Sequence, residues 1–100
     1  MKYNKLVRDK IPEMIRQKGE AAVSHIAGEE EYWEKLKEKL LEEIEEFKKS
    51  ENVEEFADIL EVSDAIADYK NFDKEEIARV KEKKAKERGA FKDRVILDES

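Results

Sequence analysis

An all-α fold follows from three features of the sequence. Charged residues make up 48% of the 100 residues while glycine occurs three times and proline once, a composition close to that of helical bundles. Apolar residues recur at spacings of three and four over two long stretches, and no Pro/Gly/Ser-rich linker divides the chain. The expected architecture is a helical hairpin assembling a four-helix-bundle-type core across a dimer, with an extended N-terminal arm and a C-terminal tail. One domain spans 1–100. A domain this small buries a modest share of its surface, so a second copy adds useful core and a homodimer or a dimer of dimers is expected.

The elements follow in order. In "YNKLVRDKIPEMIRQKG" the apolar residues Leu6, Val7, Ile11, Met14 and Ile15 suit an extended arm and then a short helix starting near Pro12 and stopping at Gly19. The next stretch, "AAVSHIAG", fits a strand or an extended connector; its His25 reads as a structural or exposed histidine before it reads as a ligand. From Glu29 to Lys49, Trp33, Leu36, Leu40, Ile44 and Phe47 form an amphipathic stripe. "KKSEN" breaks that helix, and a second runs from about Val53 to Lys70, giving an antiparallel hairpin. Asp73, with Glu76 three residues on, forms a capping box for a third long helix that Gly89 terminates. A β-prone "RVIL" lies in the tail and reads as an extended segment over the bundle or across a partner.

Charge is distributed unevenly. Residues 1–20 carry six Lys/Arg against three Asp/Glu, residues 42–68 carry eleven acids against two lysines, and residues 73–88 carry seven bases against five acids. A net charge of −6 argues against nucleic acid as the main partner, because a phosphate backbone needs a broad basic surface. The chain has no cysteine, no apolar run of bilayer length and no signal-peptide pattern, so a soluble cytoplasmic protein with no membrane partner is expected. No Gly-rich "GxxxxGK[ST]" phosphate loop occurs.

At 100° per residue the acids separate into two kinds. Glu42 lies almost opposite the stripe of the first long helix and is expected to face solvent. Glu43, three after Leu40 and four before Phe47, borders the stripe, with Glu46 one turn round the flank. In the second helix the apolar arc runs through Phe56, Ile59, Leu60, Val62, Ile66 and Ala67; Glu55, four before Ile59 and eleven before Ile66, falls inside it, and Asp58 stands at its edge. A lone buried carboxylate is costly to ionise, so acids on facing flanks of one hairpin need a cation. Mg²⁺ suits oxygen ligands shared with phosphate, with Mn²⁺ as a substitute; zinc is disfavoured with one histidine and no cysteine.

"EEIEE" followed by "EEFAD" resembles the EExxE and ExxD pair of the MazG-like all-α nucleoside triphosphate pyrophosphohydrolase superfamily. "YNKLVRDKIPEMI" and "KERGAFKDRVIL" are similar to its small phosphoribosyl-ATP pyrophosphohydrolase-like branch, so the resemblance covers nearly the whole chain. It implies metal ligation by Glu43, Glu46, Glu55 and Asp58, with Glu42 orienting them. It also implies hydrolysis of a nucleoside triphosphate, or a related phosphoribosyl nucleotide, to the monophosphate and pyrophosphate. Glu46, farthest of the four from the apolar stripe, is the candidate general base, and a ligand role fits it equally. Lys5, Arg8 and Lys10, together with Lys81, Lys84 and Arg88, are candidates to meet the phosphates. Only eight residues separate Glu46 from Glu55, which makes a tight hairpin and a more open site. The competing readings are a non-catalytic nucleotide-binding protein and a helical interaction module.

Overall fold

The computed structural model describes residues 4–100, so the first three residues of the N-terminal arm lie outside it. Its helices are α1 (Ile11–Gln17), α2 (Glu29–Ser50), α3 (Val53–Tyr69) and α4 (Lys74–Arg88), and no strand occurs among the described residues. Neither "AAVSHIAG" nor "RVIL" is a strand, because no extended segment lies alongside to share hydrogen bonds. The first is instead tied to α1 by Arg16, whose guanidinium donates to the carbonyl of Ala22 at 2.9 and 3.2 Å. Among the described residues no helix is long and apolar enough to cross a membrane.

The hairpin of α2 and α3 turns on two residues. Glu51 adopts a left-handed conformation (φ 53°) while its N–H bonds the Phe47 carbonyl at 2.8 Å, closing the last turn of α2. Asn52 then starts α3, its side-chain oxygen accepting the Glu55 N–H at 2.9 Å. The aromatic rings fix the register of the pair. Tyr69 meets Tyr32 edge-on at 5.7 Å and stacks on Trp33 at 5.2 Å, and Phe56 meets Phe47 at 5.7 Å. Antiparallel packing with those partners sets Glu43 of α2 beside Asp58 and Ile59 of α3.

The seam of α2 therefore runs through Tyr32, Leu36, Leu40, Glu43 and Phe47; it keeps Leu36, Leu40 and Phe47 of the expected stripe, but Ile44 is exposed and Glu43 takes the place beside it. Along α3 it runs through Glu55, Ile59, Val62, Ile66 and Tyr69, all half-buried. Leu36, at 1% exposure, is the one large side chain fully enclosed among the described residues. The segment before α1 lies along one edge of this hairpin, held by Lys5 and Arg8.

Beyond the hairpin the chain stands open. Asp73 caps α4 by accepting the Glu75 N–H at 3.2 Å, and Gly89 ends it with φ 83°, a conformation suited to glycine. Every residue from Lys70 to Ser100 is exposed. The accessible surface is 9451 Å², whereas a compact monomer of this mass exposes about 5,900 Å². The radius of gyration is 17.8 Å, against about 13 Å for a compact 100-residue domain.

Candidate metal centre

The carboxylate cluster is built from both helices of the hairpin. Glu43 comes from the seam of α2 and is 8% exposed. Glu55 is placed by the Asn52 cap in the first turn of α3, and Asp58 follows three residues later, on the same face. One carboxylate oxygen from each of Glu43, Glu55 and Asp58 lies within 4.8 Å of the other two. Oxygens on opposite sides of an octahedral Mg²⁺ are about 4.2 Å apart, so small side-chain rotations bring this set into ligand range. A donor set of carboxylates alone fits a hard divalent cation and not a soft one.

Glu46 is exposed and stands outside this trio. It is nevertheless close enough to act on it. The Glu55 carboxyl is held above the ordinary carboxylate range, first by partial desolvation and then by the negative charges of Asp58, Glu43, Glu46 and Glu54. Glu42, expected to face solvent, is half-buried and paired with Lys5 at 3.4 Å and Lys39 at 3.6 Å. The helix geometry of α2 alone does not reveal this, because the N-terminal segment covers that flank.

Cations from the chain approach the cluster from one side. Arg8 donates to Asp58 at 2.7 Å, a hydrogen bond that raises the guanidinium pKa above its ordinary value. Lys39 reaches Glu43 at 3.3 Å. Lys39 was not among the residues singled out from sequence, although its spacing of four before Glu43 is that of a helical ion pair. A shallow groove of about 300 Å³ lies next to the cluster, lined by Lys5, Leu6, Lys39, Leu41 and Glu42 among others, and does not reach Glu55 or Asp58. Lys10 is exposed at the N-cap of α1. Lys81, Lys84 and Arg88 are exposed on α4 and are not among the residues that pair with the cluster. His25 pairs with Glu31 at 2.9 Å, away from the cluster, in accord with the structural reading.

A pH dependence follows from Glu55. Because its pKa is raised by folding, the stability attached to it is fully present below the unfolded value, about 4.3, and is lost as pH rises through the raised value. In metal-free buffer, Glu55→Gln should match the wild type in stability near pH 4 and exceed it increasingly toward neutrality. Urea denaturation at a series of pH values reads this difference; a difference that does not change with pH would show that Glu55 is not under this strain.

Comparison of the chain with protein families, curated proteins and solved structures finds no match.

Proposed function

We propose that this protein is a Mg²⁺-dependent nucleoside triphosphate pyrophosphohydrolase of the MazG-like all-α class, acting as a homodimer or a dimer of dimers. The observation that carries the reading is the convergence of Glu43, Glu55 and Asp58 from two helices within 4.8 Å. The resemblance of the two acidic motifs and the N-terminal segment to that superfamily supplies the reaction. Held by these three carboxylates, a divalent cation supplies charge neutralisation for the phosphates and a lowered pKa for an attacking water.

The chain's own residues do the rest. Glu46, exposed beside the trio, accepts the proton of the water as its oxygen bonds the α phosphorus. The α–β bridging bond breaks, and the leaving pyrophosphate takes the electron pair. Arg8 and Lys5, already at the edge of the acidic hairpin, turn from Asp58 and Glu42 to the phosphate oxygens. The test is a panel of nucleoside triphosphates and phosphoribosyl nucleotides with Mg²⁺ or Mn²⁺, with products separated by ion-exchange chromatography. Monophosphate and pyrophosphate are expected; diphosphate with orthophosphate would place attack at the γ phosphorus and overturn the mechanism.

One observation favours a second reading. Arg8 and Lys39 already neutralise part of the cluster, as in a helical interaction module or a protein that binds nucleotide without cleaving it. Nucleotide binding with no product across the same panel would select that reading.

A further inference from the structure

The two edges of the hairpin differ. Lys39, Glu42 and Asp58 lie on the edge that the N-terminal segment covers. At 100° per residue, Ile44 of α2 and Phe56 and Leu60 of α3 fall on the opposite edge, and all three are exposed. The same chain carries a second uncovered apolar surface. After α4 the tail presents Phe91 at 97% exposure, and Val95, Ile96 and Leu97 at 78–82%. Neither surface covers the other within one chain, because every residue from Lys70 onward is exposed.

We propose that α4 and the tail form an arm that closes over the hairpin of a second copy, with Phe91 and the Val95–Leu97 segment seated on the open edge at Ile44, Phe56 and Leu60. Three observations select a second copy as the occupant. The arm and the hairpin as a whole are opposite in charge: residues 74–94 carry nine bases against five acids and residues 42–68 carry eleven acids against two lysines, and at 100° per residue Glu45 and Asp64 flank the open edge. Both surfaces belong to one chain, so a single two-fold axis lets each arm cover the other copy's hairpin with no third component. The area agrees in size. Against the 9451 Å² observed, the excess over a compact monomer is about 3,500 Å² per copy, enough to accommodate an obligate homodimer interface of about 2,000–5,000 Å² in total.

This arrangement differs from a dimer held by hairpin packing alone, since it gives the arm an essential share of the contact. It shares only the homodimer with the proposed function and does not depend on its chemistry: dimerisation is measured without nucleotide or metal, so the arm contact can fail while the metal chemistry stands, and the reverse.

The test uses the full chain. Sedimentation velocity of the wild type should show a dimer at micromolar concentration, and the triple variant Val95→Ser, Ile96→Ser, Leu97→Ser should raise the dissociation constant more than about tenfold while circular dichroism shows unchanged helix content. Since the chain contains no cysteine, a second measurement locates the contact. Ile96→Cys chains of one mass tag are mixed with Ile44→Cys or Leu60→Cys chains of another and oxidised, and a mixed disulfide is expected at one or both positions. A monomeric wild type, a triple variant that dimerises as tightly as the wild type, or the absence of a mixed disulfide at both positions would each overturn the proposal.

Discussion

Mg²⁺ or Mn²⁺ at about a hundred times its dissociation constant should stabilise the folded protein by ~2.7 kcal/mol, because the cation binds the assembled carboxylates and not the unfolded chain. For a chain of this length that corresponds to a rise in Tm of about 10–20 °C, measured at constant protein concentration by calorimetry. The same site makes the metal-free protein strained, since Glu43, Glu55 and Asp58 bring three carboxylates together. Arg8 and Lys39 offset part of that repulsion at Asp58 and Glu43, while Glu55 has no such ion pair within 4.0 Å among the described residues. Glu55→Gln should therefore act in opposite directions on the two states. It raises the Tm of the metal-free protein by relieving repulsion, and it removes most of the metal-dependent increment by deleting a charged ligand. A Tm indifferent to millimolar Mg²⁺ and Mn²⁺ would remove the main support for a metal site.

The hairpin was legible from sequence because both of its determinants are local. The spacing of Glu55, Ile59, Val62 and Ile66 places that carboxylate on the inner face of α3, and Glu55 is half-buried there. Asp73 and Gly89 bound α4 as expected, although Asp73 accepts the N–H of Glu75 and not that of Glu76, so the expected capping box with Glu76 does not form. What misled the reading of α2 was the assumption that its seam is wholly apolar. Glu43 occupies a seam position, so the apolar residues alone draw Ile44 into the stripe with Leu36, Leu40 and Phe47, whereas packing against α3 buries Glu43 and leaves Ile44 exposed.

The environment of Glu42 and the Arg8–Asp58 pair were beyond local reasoning for a different reason. Lys5 lies 37 residues from Glu42, and Arg8 lies 50 from Asp58, so only the path of the N-terminal segment brings them together. Lys81 and Lys84 show the converse limit. They lie four and seven residues after Ile77, a spacing that gives them an inward direction on α4, but every residue of that helix is exposed.

On the proposed mechanism Asp58 holds the cation and Glu46 accepts the proton, and their conservative variants should separate the two roles. Asp58→Asn keeps the side chain's size but removes a ligand charge, and it weakens the hydrogen bond from Arg8, 2.7 Å long in the wild type, because a neutral amide oxygen accepts less strongly than a carboxylate. Turnover should fall more than about tenfold, and the metal-dependent rise in Tm should shrink with it. Glu46 lies outside the trio of Glu43, Glu55 and Asp58, so Glu46→Gln should leave most of the metal-dependent stabilisation in place. If it accepts the water's proton, kcat nevertheless falls more than about tenfold, with little change in KM. The decisive comparison is therefore between two readouts on each variant, single-turnover rate and Tm shift with Mg²⁺. Loss of both in Glu46→Gln would make Glu46 a fourth ligand, reached by rotation of its exposed side chain toward Glu55. Full turnover in Asp58→Asn would mean that the reacting phosphate is not held at this cluster, and full turnover in Glu46→Gln that another group accepts the proton.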